Sequence, residues 1–325
     1  VLDLAALLGH GRVVSTASID TFTRRLVALT AAIETELKSL LTSAPLSNEV
    51  ARPLRLLSAM RHATDGGKRL RPFLVVESAA LFNVPEKQSL LVGAAFECVH
   101  CYSLVHDDLP AMDDDDLRRG RPTVHRAFDE ATAILAGDAL LTLAFDVLAR
   151  EAAHPDANVR IDLVTLLSRA SGLGGMAGGQ MLDLEAEGRF ASDRRPLALS
   201  FAEIERLQAM KTGAILTAAC EAGAILGRAT PAHCQALLNY GRAFGLAFQI
   251  SDDLIDAEGN AKIVGKRVGK DASRGKATLV SQVGISEAHK QLSALISEAE
   301  AALSPFGSKA AMLISAVKFL ATRQH

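Results

Sequence analysis

Two stretches of this 325-residue chain gather carboxylates in patterns that suit metal ions. The first reads His106-Asp107-Asp108-Leu-Pro-Ala-Met-Asp113-Asp114-Asp115-Asp116, with six aspartates in ten residues. Their repulsion is costly unless water or a cation screens it. Hard divalent ions prefer carboxylate oxygens, and Mg2+ characteristically combines one or two of them with water and phosphate oxygens. Asp107 and Asp113 fall about 240° apart on an ideal helix. They can share a site only where the helix ends or bulges between them, and Pro110 offers such a break. The plain alternative is an acidic surface loop or a helix N-cap run. The stretch is not an EF-hand, because the Asp-x-Asp-x-Asp-Gly spacing and the closing Glu are missing.

The second stretch is Phe248-Gln249-Ile250-Ser251-Asp252-Asp253-Leu254-Ile255-Asp256. Asp252 and Asp256 are spaced i, i+4 and share one helix face. Their apolar neighbours predict a largely buried helix, where carboxylates need a partner. Two such clusters, far apart in sequence, point to one cavity with ions between them. Cations complete the pattern: Lys68, Arg69 and Arg71 beside Gly66-Gly67, then Arg118-Arg119 and Lys211. Arginine suits bidentate phosphate binding, and lysine acts as a point charge. Together these residues suggest two anionic sites, one bridged by metal and one held directly. Ala257–Thr278 adds Lys262, Lys266, Arg267, Lys270, Arg274 and Lys276. That segment reads equally as a solvated linker or as a phosphate-contacting lid.

Helices must position these groups. Ile19–Leu41 places Phe22, Leu26, Leu29, Ile33 and Leu37 on one face. Similar periodicity predicts helices over Pro72–Phe82, Gln88–His106, Glu130–Arg150, Val159–Ser171, Ala202–Leu226 and Ala232–Asp256. No alternating strand run or Asn-Gly hairpin signal is present. Gly188–Ser200 reads as an arginine-rich surface loop with no assigned role. Hydrophobic residues make up 49% of the chain, while aromatics are 4% and Trp is absent, so Ala, Leu, Ile and Val must build the core. That composition favours close helix packing over a β-sandwich. The 35 basic and 37 acidic residues give no electrostatic case for nucleic acid. The four cysteines form no dense framework, which suits a reducing, cytoplasmic setting. No stretch of 18 apolar residues escapes a charge, so no membrane span is expected.

Taken in order, Gly66-Gly67-Lys68-Arg69-Leu70-Arg71-Pro72, the Asp-Asp-x4-Asp cluster running into Arg118-Arg119-Gly120, Gly179-Gln180-x-x-Asp183, Lys211-Thr212 and Phe248-Gln249-x-x-Asp252-Asp253-x-x-Asp256 resemble the trans-isoprenyl diphosphate synthase family. Phe128–Phe145 is similar to the bacterial farnesyl diphosphate synthases. The resemblance implies an all-α fold, an isoprenoid-synthase-type helical bundle around a deep central cavity, paired as a homodimer. It makes residues 18–325 one domain and leaves 1–17 as an extension without a role. By motif match, Asp107 and Asp113 would ligate two Mg2+ ions with Asp108 in support. Asp252 would ligate a third, with Asp253 and Asp256 in support. Lys68, Arg71, His100 and Arg119 would bind isopentenyl diphosphate. Arg118, Lys211 and Lys266 would hold the allylic diphosphate, and Thr212 and Gln249 would line the place where positive charge develops.

The implied reaction joins isopentenyl diphosphate head to tail to dimethylallyl or geranyl diphosphate, giving the C15 product farnesyl diphosphate. Diphosphate leaves, an allylic cation forms in a dry cavity, isopentenyl diphosphate attacks, and a proton is lost. Tyr102 lies five residues before Asp107, about 7.5 Å down a helix axis. In the resembling family an aromatic there goes with a C15 product, whereas small residues go with C20. The alternatives are a C20 geranylgeranyl diphosphate synthase, a terpene cyclase, and a non-catalytic partner subunit. The Gly-Gly-Lys-Arg-Leu-Arg-Pro segment disfavours a cyclase, which needs no second diphosphate site, and two intact Asp motifs disfavour the third. Lys276-Ala-Thr-Leu-Val departs from the family's common Lys-Ser/Ala-Thr-Tyr-Pro. Cys98-x-x-Cys101 invites a zinc reading but lies in an apolar helical run without a second ligand pair, so two packed thiols are expected.

Overall fold

Apolar residues at steps of three and four give α1 (Thr16–Leu40) a single inward face, and Phe22, Leu29, Ile33 and Leu37 are all buried. This structure is a computed structural model that describes residues 16–47, 49–258 and 279–322. Short α2 (Leu54–Thr64) leads into α3 (Leu70–Ala80) and α4 (Glu86–Asp107). Pro72–Ala79 and Leu91–Val99 are buried without a break, as expected for helices surrounded by others. Then follow α5 (Val124–Ala127), α6 (Glu130–Ala149), α7 (Ala157–Ser171), α8 (Met176–Ala186) and α9 (Phe201–Gln208). A π-helical turn, Ala209–Gly213, joins α9 to α10 (Ala214–Leu226), and α11 (Pro231–Glu258) packs along α10. The bundle closes with α12 (Leu279–Val283), α13 (Ile285–Ala302), a 3-10 stretch at Ser304–Ala310 and α14 (Ala311–Thr322).

Side-chain oxygens set several helix starts. Asp129 caps α6 by accepting from the Thr132 N–H at 2.7 Å, Asp156 caps α7 through Asn158, and Ser200 with Glu203 forms a capping box on α9. The core is Leu- and Ala-rich, with few large rings. Phe22 meets Phe73 edge-on at 5.3 Å and lies 5.2 Å from Phe319, which ties the first, third and last helices together. Tyr240 is fully buried, and its hydroxyl donates to the Leu313 carbonyl at 2.8 Å. The thiols of Cys98 and Cys101 are buried in α4, and burial pushes the Cys101 thiol up to about 12. They are packed thiols, as the sequence suggested.

The all-α expectation holds with one small correction. Leu117–Arg118 and Arg121–Pro122 pair as a two-residue antiparallel hairpin. Arg119 and Gly120 both take positive φ, the conformation of a tight hairpin turn, and no Asn-Gly signal marks it. The helix expected over Ala202–Leu226 is interrupted by the π turn. Among the described residues, three segments that carry charges, Glu86–Asp107, Glu130–Ala149 and Phe201–Leu226, are nonetheless long and apolar enough to cross a membrane by length and composition. In this bundle their apolar windows are 67%, 44% and 56% buried.

Candidate active site

The first aspartate cluster sits where α4 stops. Asp107 is its last residue, and Asp108 forms the C-cap. The chain then doubles back, so that the Asp113 N–H donates to the Asp107 carbonyl at 2.8 Å and the Asp115 N–H to the Asp108 carbonyl at 3.2 Å. The helix break that Asp107 and Asp113 required is therefore present. Burial pushes the Asp107 carboxyl up to about 6; Lys211 opposes the shift, Asp113 reinforces it, Arg118 opposes it and Asp108 adds to it. Asp108 is buried and bound by Arg118, whose Nε donates at 3.0 Å and whose second nitrogen reaches both Asp108 and Asp115. Arg118, expected on the allylic diphosphate, is held here by two carboxylates.

The second cluster lies in the last turns of α11, which runs unbroken as its i, i+4 spacing required. Asp252 and Asp256 are half-buried. Asp253 is buried, and its carboxylate accepts from Gln249 at 2.9 Å, from the Leu279 N–H at 3.1 Å and from Gln208 at 3.4 Å. Burial pushes this carboxyl up to about 6 against those three donors. Asp253 thus ties α9, α11 and α12 together. Gln249 has its amide committed to Asp253, which orients the side chain. Sequence reasoning missed Gln208, since nothing in its local spacing distinguishes it from a surface glutamine.

Cations reach the clusters from several elements. Lys211 sits in the π turn beside Thr212 and pairs with Asp183 of α8 at 2.5 Å. The Cβ of any residue at Gly179 would fall inside contact distance of the Lys211 amide nitrogen, so glycine lets α8 lie against this turn. Asp183 belonged to the Gly-Gln-x-x-Asp motif, but its partner could not be read from spacing. Ahead of α3, Arg69 takes a positive φ of 49° and is fully buried, paired with Glu97 of α4 at 2.6 Å. That pair anchors the turn carrying Lys68 and the first turn of α3, which carries Arg71. Arg119 donates to the Asp65 and Gly66 carbonyls at 3.4 and 2.6 Å, tying the hairpin to the same turn.

Electrostatics join the parts. Burial lowers the Arg71 guanidinium below its usual value, while Glu97, Cys101 and Asp252 oppose this and Arg119 adds to it. Arg71 therefore feels the second cluster across the bundle. Burial, reinforced by Arg71, Arg119, Arg69 and Arg118, holds the His100 imidazole well below its ordinary value, so it is neutral at pH 7. Tyr102 is half-buried on α4 one turn before His106, with rings 5.8 Å apart and nearly perpendicular. Burial and the nearby Asp107 raise its phenol. Lys266 and Lys276, with residues 259–278 of the expected lid, lie outside the described residues, as do residues 1–15.

The donor set fits a divalent ion of the Mg2+ kind. Asp107 and its neighbours are carboxylates whose charge burial makes costly, and a cation relieves that cost. Among the described residues, no three His, Cys, Asp or Glu side chains converge to hold an ion alone. Oxygens from water and a phosphate substrate would complete such a coordination shell.

The all-helical bundle sets Arg118 on the first aspartate cluster and Lys211 within electrostatic reach of it, and puts Arg71 within reach of Asp252 in the second. A family model described as polyprenyl synthetase matches residues 54–306, and the chain belongs to that family. It is 46% identical over 245 residues to a farnesyl diphosphate synthase of Escherichia coli, covering 73% of this chain and 78% of that protein. It is 38% identical over 274 residues to a geranylgeranyl diphosphate synthase of Cyanophora paradoxa, covering 84% and 89%. The crystal structure of an FPP/GFPP synthase from Zymomonas mobilis superposes with a TM-score of 0.81 at 44% identity, covering 93% of this chain and 99% of that one.

Proposed function

We propose that this chain is a prenyltransferase that condenses isopentenyl diphosphate with dimethylallyl and geranyl diphosphate, head to tail, to give farnesyl diphosphate. The observation that carries the reading is the turn at the end of α4, where the Asp113 N–H donates to the Asp107 carbonyl and Arg118 pairs with Asp108, together with Lys211 held by Asp183 in the π turn. The farnesyl diphosphate synthases among its relatives supply the reaction. The cofactor in this reading is Mg2+, three ions with diphosphate bound, on Asp107 and Asp113 with Asp108 in support and on Asp252 with Asp253 and Asp256 in support. Bound metal supplies neutralisation of the charge that grows on the leaving diphosphate.

The chain's own groups do the rest. Lys211, oriented by Asp183, holds the allylic diphosphate as it departs, joined by Lys266 and by Arg118. Lys68, Arg71, His100 and Arg119 bind isopentenyl diphosphate. Neutral His100 accepts or donates a hydrogen bond without adding to the crowd of arginines around it. Thr212 and Gln249 face the developing allylic cation as oxygen dipoles. The departing diphosphate takes the proton. Tyr102 closes the far end of the growing chain and limits it to C15.

Residues 18–325 act as one domain in this reading, supported by the packing of Phe22 in α1 against Phe73 and Phe319. The chain works as a homodimer with no membrane span. Ile134 and Leu135 on α6 and Ile161 on α7 are 46%, 56% and 64% exposed, an apolar face suited to a second copy. Four cysteines outside any disulfide support a cytoplasmic location. Incubation with isopentenyl diphosphate, Mg2+ and each starter in turn (dimethylallyl, geranyl, farnesyl diphosphate), followed by sizing of the products, tests the function. Release of no diphosphate with geranyl diphosphate would refute it. Tyr102→Ala should shift the product toward C20 or longer, and an unchanged C15 profile would remove Tyr102 as the floor.

A further inference from the structure

Most N–H groups of the turn that runs from Asp108 to Asp115 are committed within it or to the end of α4. Pro110 has no N–H. The Met112 and Asp114 N–H groups donate to the Leu109 carbonyl at 2.8 and 3.1 Å, and those of Asp113 and Asp115 donate to the carbonyls of Asp107 and Asp108. The carbonyls of Ala111 and Met112 are bound from outside. Arg189, in the loop after α8, donates to Ala111 at 2.7 Å and to Met112 at 3.2 Å, one guanidinium nitrogen to each.

The loop is built to aim this side chain. Gly188 has a φ of +75°, and a Cβ there would collide with the Arg195 carbonyl, so the chain folds back on itself only with glycine. The Arg189 N–H donates to the Leu184 carbonyl at 3.1 Å, and the Arg194 side chain donates to the Arg189 carbonyl at 2.9 Å. The Leu197 N–H closes the loop on the Ala186 carbonyl at 2.8 Å. Helix α8 is therefore a strut with two charged ends. Asp183 grips Lys211 in the π turn, and Arg189 grips the aspartate turn.

We infer that Arg189 is a positioning residue for the first metal site, resting on the reading above that Asp107 and Asp113 bind divalent ions. Its planar fork holds two successive carbonyls and sets where Asp113 stands relative to Asp107 before any ion arrives. Its charge also offsets part of the repulsion among the six aspartates. Partners that orient the ligands of a metal characteristically alter metal affinity by about tenfold or more when removed.

The test is Mn2+ binding by electron paramagnetic resonance, with inorganic diphosphate present, on full-length wild type, Arg189→Ala and Arg189→Lys. Thermal midpoints of each are recorded without metal. Arg189→Ala should raise the Mn2+ midpoint about tenfold. The Mg2+ concentration for half-maximal turnover should rise in parallel, while kcat at saturating Mg2+ changes less. Arg189→Lys keeps the charge but loses the fork, so it should fall between the two. Wild-type Mn2+ binding in Arg189→Ala overturns the inference, even if the thermal midpoint falls, because that pattern describes a purely structural loop. Wild-type behaviour of Arg189→Lys overturns the bidentate role. Failure of the wild type to bind Mn2+ with diphosphate overturns the metal-site reading beneath it as well.

Discussion

Asp107 closes α4 half-buried, with its carboxyl near 6 where an ordinary aspartate titrates at 3.8. Burial is the main cause, and Lys211 and Arg118 oppose it only in part. The folded protein then holds this proton more tightly than the unfolded chain. Its contribution to stability is present at low pH, declines as pH rises between about 4 and 6, and is absent above that. In metal-free protein, Asp107→Asn should therefore be the more stable form at pH 7, by about 1–2 kcal/mol after allowance for partial solvation. The gain should vanish near pH 4, where the wild-type carboxyl is protonated too. Urea titrations at both pH values check this. Equal midpoints at pH 7 would show that the Asp107 charge costs the fold nothing. Asp253 shares the raised value, but its three donors make the same substitution harder to read.

At the scale of elements, the π turn at Ala209–Gly213 and α8 form one unit. A π turn adds a residue to the helical circuit and turns the side chains that follow. Here Lys211 and Thr212 lie within it, and Gly179 brings α8 against the Lys211 backbone. A methyl group at Gly179 meets main chain rather than a flexible side chain, so one of the two elements must move. Gly179→Ala should lower stability by about 1–3 kcal/mol. It should also lower kcat, because the Asp183–Lys211 pair would be misplaced. Gly174→Ala is the control: a Cβ there meets open space, and the change should stay within about 0.5 kcal/mol. Chemical denaturation and turnover, measured side by side, decide the matter, and matching behaviour of the two variants would refute it.

At the scale of the whole molecule, α6 buries Ala133, Ala136, Leu140, Ala144 and Leu148 in the core and leaves Ile134 and Leu135 on its outer side. Its window is the least buried of the three apolar segments, at 44%. Burial of Ile134 and Leu135 against a second copy would remove that surface from water at about 25 cal/mol per Å2. A charge at its centre would have to be desolvated on association. On the proposed homodimer pairing through this surface, Leu135→Glu should give a monomer by light scattering, with little effect on the monomer's own fold because the residue is 56% exposed. A Leu135→Glu protein that still runs as a dimer would move the interface elsewhere.

Much of the fold was legible in the sequence because helical periodicity is local. Steps of three and four residues located α1, α3, α4, α6, α7 and α11, and the six-residue gap between Asp107 and Asp113 required the helix break that is found. The same reasoning failed where partners lie far away in the chain. It could not show which protein groups meet two of the site residues: Arg118 pairs with Asp108 and Asp115, and Gln208, Gln249 and Leu279 converge on Asp253. It passed through the π turn because one inserted residue barely disturbs an apolar pattern. It left the arginine-rich loop without a role because Arg189 acts on carbonyls 77 and 78 residues earlier. Residue types and spacing, set by bonds within a few turns, determined which groups could meet metal and diphosphate. Which carboxylates are committed to protein donors was decided only by tertiary packing, since a hydrogen bond depends on a separation of about 3 Å that no local rule specifies.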